Sequence, residues 1–67
     1  MIRPAGVRVI RERTSLSQSE FAHLIGVSVK TLQNWEQERR RPTGPAAALL
    51  SIIDYDPALA IKAIHRV

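Results

Sequence analysis

The sequence predicts an all-α domain of five short helices. No segment alternates apolar and polar residues for long enough to indicate a strand. Apolar residues instead recur at helical spacing, as Val29, Leu32 and Trp35 do. Capping residues, prolines and glycines separate the apolar groups at intervals of helix length.

The first helix is expected from about Pro4 to Arg13, because proline suits the first turn of a helix. Val7 and Ile10 give this helix one apolar stripe, and Thr14-Ser15 end the pattern.

The second helix is expected to begin after Ser17, which has the residue type of an N-cap. Glu20, three residues on, completes a capping box, and Leu16 and Phe21 have the spacing of a hydrophobic staple. Gly26 ends the helix in a conformation with positive φ that other residues resist.

The third helix is expected to begin at the N-cap Ser28, after a short turn. The fourth opens after Pro42–Gly44, with Pro45 as its first residue, and runs to Ile53. The fifth opens at Asp56-Pro57 and runs to about His65.

Helices 2 and 3 have the pattern of a helix-turn-helix, over about residues 17–37. Such helices cross at ~90–120° after a turn of ~3–4 residues. Their contact needs a small residue, a turn glycine and apolar packing, which are supplied by Ala22, Gly26, Val27, Leu32 and Trp35. A helical hairpin of purely structural type would share only one or two of these features.

The composition describes one small domain. At 67 residues only ~60% of the unfolded surface is buried, so the core is small. Without cysteine, neither a disulfide nor a thiolate metal site can stabilise it. No apolar run approaches the ~18 residues of a membrane span, and Met1–Arg3 lacks the apolar core of a signal peptide. We expect a cytoplasmic protein that does not enter a membrane.

The net charge of +4 lies with the helix-turn-helix, because residues 1–41 carry eight Lys and Arg against four acids. Residues 42–67 carry two of each sign. A basic region favours a polyanionic partner, although a modest charge also serves solubility.

The sequence also resembles a known family. It is similar to the Xre or phage-repressor-like helix-turn-helix family over about residues 3–54. The matching residues are Leu16-Ser17-Gln18, Phe21-Ala22, Gly26-Val27-Ser28, Leu32, Trp35-Glu36 and Pro42. The segments 28–37, Arg39-Arg40, 42–46, Leu49-Leu50 and Asp56-Pro57 look like HigA-type antitoxins and their NadS-like relatives. The resemblance implies a lambda-repressor-like domain that forms a homodimer, represses its own operon and neutralises an mRNA-cleaving toxin. A stand-alone Xre-type regulator is the alternative.

The third helix is expected to enter the major groove of double-stranded DNA, with its N-terminal residues facing base edges. The candidate readers are Ser28, Val29, Lys30, Gln33 and Asn34, and Thr31 is a further candidate for a contact with the DNA backbone or a base. Lys30 suits guanine, Gln33 or Asn34 suits adenine, and Val29 suits a thymine methyl group. Alternatively, Val29 belongs to the core and Lys30 meets only phosphate.

Phosphate contacts are expected at the N-termini of both motif helices, where N–H groups are free. Gln18 and Ser28 lie there, and the resemblance implies phosphate contacts at both. Three more candidates for phosphate contacts follow the third helix: Arg39, Arg40 and Arg41. The alternative is that this run of charges is only a solvated face.

The resemblance implies an ion pair between Arg11 and Glu36, which would join helix 1 to helix 3 without touching a base. The alternative is two unrelated surface charges. Glu38 stands where many relatives have glycine. It must adopt positive φ, at ~1–2 kcal/mol, or let the helix continue.

The apolar residues after position 48 exceed what two exposed helices should carry. They are Leu49, Leu50, Ile52, Ile53, Leu59, Ile61 and Ile64. We expect helices 45–65 to complete the core and to form a homodimer, with Leu59, Ile61 or Ile64 at its seam. A two-fold dimer predicts a palindromic operator.

Catalysis is not expected, because the two histidines, His23 and His65, lie in different helices and no paired carboxylates or Gly-rich phosphate loop are present. We predict no cofactor and no metal. A protein-interaction module without DNA is disfavoured by Lys30 and the arginine run. No toxin-binding tail is evident. Three alternatives follow: a fragment that lacks the tail, a complete small repressor, or an antitoxin that holds its toxin on a folded surface such as helix 1.

Overall fold

A computed structural model describes residues 4–65, with no strand in that range. Five helices follow one another: α1 (Pro4–Thr14), α2 (Gln18–Ile25), α3 (Val29–Glu36), α4 (Gly44–Tyr55) and α5 (Pro57–His65). The predicted all-α class and the order of the helices are confirmed. None of the described helices is long and apolar enough to cross a membrane.

The helices meet in a small apolar core to which all five contribute. The buried side chains are Val7, Ile10, Phe21, Ala22, Leu32, Trp35, Leu50, Ile53 and Ala60. The stripe predicted on helix 1 is confirmed, since Val7 and Ile10 are both buried.

The α2–turn–α3 unit has the predicted local chemistry. Ser17 Oγ accepts from the Glu20 amide at 3.1 Å, and the Glu20 carboxylate accepts from the Ser17 amide at 2.9 Å. Gly26 ends α2 at φ 78°, and the next residue, Val27, donates its amide to Ala22 O at 3.0 Å. Ala22 is buried. The turn is therefore fixed by backbone bonds that need a residue with positive φ.

The boundaries of α4 differ from the prediction. The helix begins at Gly44 rather than Pro45, because Thr43 is the extended N-cap residue and Pro45 takes the second position. It also continues two residues beyond Ile53, to Tyr55. Asp56 then accepts from the Leu59 amide at 3.1 Å, as expected of an acidic cap on α5.

The loop after α1 contains a conformation that the sequence did not predict. Ser15 has φ 63°, although residues with a Cβ rarely adopt positive φ. The Thr14 hydroxyl accepts from the Leu16 amide at 3.2 Å. This bond lets the chain turn between α1 and α2 without a glycine.

Candidate nucleic-acid interface

One face of α3 is turned away from the core. Leu32 and Trp35 are buried, whereas the opposite side carries Lys30, Gln33, Asn34 and Gln37, which we call the reading face. These four residues are three or four positions apart and therefore share one side of the helix. Lys30 and Gln37 are exposed, and the two amides between them are half-buried. Sequence reasoning missed Gln37, the C-cap of α3, although its spacing from Gln33 and Asn34 pointed to it.

The first turn of α3 has a different environment. Val29 is half-buried and packs against the core, which favours its core interpretation. Ser28 caps the helix by accepting from the Thr31 amide at 3.0 Å, and its hydroxyl donates to Thr31 Oγ1 at 2.9 Å. Ser28 thus fixes the start of α3, and the helix N-terminus remains exposed beside Lys30.

Arg11 and Glu36 form a two-pronged ion pair between α1 and α3. Arg11 Nε lies 2.6 Å from Glu36 Oε2, and Nη2 donates to Oε1 at 3.2 Å. The side chains are only 15% and 5% exposed. Arg11 Nη1 also donates to Leu16 O at 3.1 Å. The pair joins three structural elements, so its charges are not unrelated surface charges.

The surroundings of Glu36 keep it ionised. Burial is the largest single influence on its pKa and raises it, but the hydrogen bonds from Arg11 and Gln18, with the charge of Arg11, together outweigh burial. The pKa of Glu36 therefore lies below its ordinary value. The hydrogen bond to Glu36 is the main reason why the pKa of Arg11 is raised.

The ion pair continues as a chain of amides towards the reading face. Gln18 Nε2 donates to Glu36 Oε1 at 3.1 Å, and Gln33 Nε2 donates to Gln18 Oε1 at 3.3 Å. We call Arg11, Glu36, Gln18 and Gln33 the polar relay. It connects the first residue of α2 to a residue of the reading face, so Gln18 is engaged within the protein as well as lying at a helix N-terminus.

A polar groove lies beside the reading face. Its volume is about 520 Å³, and it is lined by Thr31, Asn34, Trp35, Arg40, Arg41, Thr43 and Ala46. The groove brings together four of the residues predicted to contact DNA, but Arg39 does not line it. Sequence reasoning missed Thr43, whose N-cap side chain makes no capping hydrogen bond.

The turn at Glu38 directs the arginines to this groove. Glu38 adopts φ 62°, which is the first of the two conformations expected for it. The amides of Arg39 and Arg40 donate to Asn34 O at 2.9 and 3.4 Å. These bonds hold the basic segment against the end of α3.

Positive charge at this surface is not neutralised by nearby acids. The ion pairs found among residues 6–64 join Arg8 to Glu12, Arg11 to Glu36 and Arg13 to Asp54. They include neither Lys30 nor Arg39–Arg41, all of which are exposed. The surface can therefore attract an anion, and Glu38 is the acid nearest in sequence to the arginines.

The residues predicted at a dimer seam differ in exposure. Leu59 is 62% exposed, whereas Ile61 is half-buried and Ile64 is partly buried against the core. Ile52 and Tyr55, three residues apart on α4, are exposed apolar residues that the prediction left out of the seam. Spacing alone did not show which apolar residues of α4 and α5 face outward.

Comparison with known proteins shows the family. A helix-turn-helix family model matches residues 7–53. Antitoxin HigA-2 of Vibrio cholerae serotype O1 is 41% identical over 56 residues, which are 84% of this chain and 54% of that protein. YiaG of Escherichia coli K12, an uncharacterized HTH-type transcriptional regulator, is 33% identical over 54 residues, or 81% of this chain and 56% of that protein.

The chain spans about half the length of the curated relatives it matches. The matched family consists of regulators rather than enzymes. The chain belongs to the Xre-like helix-turn-helix family of DNA-binding transcriptional regulators.

Proposed function

We propose that the chain is a sequence-specific repressor that binds double-stranded DNA as a homodimer and serves as the antitoxin of a toxin–antitoxin operon. The observation that carries the DNA-binding part is the reading face of α3, flanked by unpaired cations and a polar groove. Similarity to Antitoxin HigA-2 supports the antitoxin part.

Base contacts are assigned to the reading face. Lys30 is an exposed donor suited to guanine O6 and N7, and Asn34 is an amide suited to adenine N6 and N7. Thr31 lines the groove beside the reading face, and we assign it to the DNA backbone or to a base. Val29, which packs partly on the core, offers at most an apolar edge to a thymine methyl group.

Phosphate contacts are assigned to the rim of the reading face. Gln18 and Ser28 lie at the N-termini of α2 and α3, where free amides attract anions. Arg40 and Arg41 line the groove, and Arg39 lies next to them in the sequence. Contacts of this kind position the protein but carry no sequence information directly.

Binding to the DNA upstream of the chain's own gene tests this assignment, with scrambled duplexes for comparison. Lys30→Ala and Asn34→Ala should each reduce the binding free energy by ~1–3 kcal/mol on the specific duplex and leave binding to the scrambled duplex unchanged. Arg40→Ala should weaken binding to both duplexes alike. It should also lower the slope of log affinity against log salt concentration by about 1. Arg8→Ala, at an exposed position of α1, removes the same charge elsewhere and should change neither binding affinity nor the salt slope. Identical behaviour of the Lys30 and Arg40 variants on both duplexes would contradict the division of roles.

The homodimer is proposed to form through the exposed apolar residues of α4 and α5, chiefly Ile52, Tyr55 and Leu59. A domain with so small a core commonly gains stability by association. The DNA site should then be a palindrome with half-sites about one helical turn apart, or multiples of it. Analytical ultracentrifugation should show a dimer that Leu59→Lys dissociates. A wild-type monomer at tens of micromolar would refute the dimer.

The presence or absence of a toxin partner distinguishes the antitoxin from a stand-alone repressor. The relative YiaG, named only as a regulator, favours a stand-alone repressor as the second candidate. A small reading frame next to the gene, whose product co-purifies with this chain and arrests growth without it, would support the antitoxin. Absence of any such product, with repression intact, would support the stand-alone regulator.

A further inference from the structure

We propose that the polar relay fixes the hydrogen-bonding direction of Gln33 and thereby selects adenine over guanine at the base pair that Gln33 reads. Gln18, which is not a base reader itself, acts as the positioning residue. The inference deepens the proposed DNA-binding function and rests on it.

The direction of both amides follows from the carboxylate at the centre of the relay. A carboxylate can only accept hydrogen bonds, and Arg11 holds both oxygens of Glu36 in place. The Gln18 atom that lies 3.1 Å from Glu36 Oε1 must therefore be the amide nitrogen. The carbonyl oxygen of Gln18 is then the group that faces Gln33, and it accepts from Gln33 Nε2 at 3.3 Å.

This direction determines what Gln33 offers to DNA. Its amide nitrogen carries two hydrogens, and one is donated to Gln18. One N–H group and the carbonyl oxygen remain for a base. Adenine presents the acceptor N7 and the donor N6 in the major groove, whereas guanine presents the two acceptors N7 and O6. The remaining groups of Gln33 match adenine, and the oxygen of Gln33 opposes O6 of guanine.

Changes at Gln18 can remove or reverse this preference. In Gln18→Leu the hydrogen bonds of Gln18 to Glu36 and to Gln33 are lost, so the amide of Gln33 can turn either way. In Gln18→Lys the ammonium has only donors. It can bond to Glu36 and donate to the oxygen of Gln33, which leaves both N–H groups of Gln33 for guanine.

The test is selection of bound duplexes from a randomised pool by the full chain. The base pair read by Gln33 is the one whose preference disappears in Gln33→Ala. There the wild type should favour adenine over guanine by about 5- to 100-fold. Gln18→Leu should remove most of this ratio, and Gln18→Lys should invert it. The positions that lose preference in Asn34→Ala serve as controls and should keep their ratios in both Gln18 variants.

Thermal melting followed by circular dichroism establishes that each variant is folded before selection. An unchanged adenine preference in Gln18→Leu, or in Gln18→Lys, overturns the inference while DNA binding stands. The inference is also overturned if Gln33→Ala alters the base preference at no position of the selected site. A wild-type chain that selects no sequence refutes the proposed function itself.

Discussion

Replacing Arg11 by methionine should destabilise the domain by about 2–4 kcal/mol at pH 7. Removing one partner of a buried ion pair costs ~3–5 kcal/mol, because the other charge is left buried and unpaired. We expect a loss about 1 kcal/mol smaller than this, because Gln18 still donates to Glu36 and Arg11 is not fully buried. A 67-residue domain has only about 3–10 kcal/mol in total, so the loss should be evident.

A double-mutant cycle measures the pair itself, with urea unfolding of Arg11→Met, Glu36→Gln and the double variant. The coupling energy should be about 2 kcal/mol or more, since burial leaves little screening by water. Arg13 and Asp54 are the matched control: their atoms lie 2.7 Å apart, against 2.6 Å for Arg11 and Glu36, but the side chains are 48% and 52% exposed. Their cycle should give about 0–1 kcal/mol. Equal couplings in the two cycles would show that burial does not set the strength of the pair.

The contribution of Glu36 to the free energy of unfolding should change with pH in opposite directions in the wild type and in Arg11→Met. The folded-state pKa of Glu36 is lowered in the wild type, so the stability from Glu36 is fully present above its ordinary pKa of about 4.5 and is lost as pH falls through the folded-state value. Without Arg11, burial is opposed only by the hydrogen bond from Gln18 and by the charge of Arg8, so we expect the pKa of Glu36 in the variant to be raised. As pH falls, protonation of Glu36 then removes the buried unpaired charge from the variant. The difference in free energy of unfolding between the wild type and Arg11→Met should therefore become smaller between pH 7 and pH 4.5. A gap that stays constant over this range would refute this account of the ion pair.

Two further predictions concern local structure. Ser17→Ala should lower the free energy of unfolding by about 1 kcal/mol through loss of the capping box, whereas Ser19→Ala, at an exposed position of the same helix, should change it little in the same urea titration. Glu38→Gly should raise the melting temperature, because glycine adopts positive φ without the ~1–2 kcal/mol penalty, and should tighten DNA binding at low salt. Glu38→Gln isolates the charge: it should tighten binding without the gain in stability, and a similar melting temperature for the two variants would contradict the strain at Glu38.

The helix boundaries were largely predictable because they depend on neighbours in sequence. Ser17, Ser28 and Asp56 each bond to an amide three residues on, so residue type and spacing contain the necessary information. Gly26 was predictable for the same reason, since the turn needs positive φ. Ser15 was not, because serine is not a residue that positive φ favours.

The candidate site was predictable in its residues but not in its connections. Helical periodicity places Lys30, Gln33 and Asn34 on one side of α3 from sequence alone. The hydrogen bond between Gln18 and Gln33 joins two helices, and it depends on the angle at which they cross. The groove at Thr43 depends similarly on how α4 approaches α3. Contacts of this kind arise from tertiary packing, which local spacing does not encode.

Glu38 shows how one unfavourable residue can still preserve the geometry of the interface. Its positive φ ends α3 after Glu36 in the way that a glycine would, and the amides of Arg39 and Arg40 can then bond to Asn34 O. Had the helix continued instead, these arginines would follow the helical path and leave the groove. Because the turn is kept, the cost of Glu38 falls on stability and on repulsion of phosphate, while the positions of Arg40 and Arg41 beside the reading face are retained. The direction of the basic segment Arg39–Arg41 therefore depends on the backbone conformation of Glu38. The affinity of this segment for DNA depends on the charge of the Glu38 side chain.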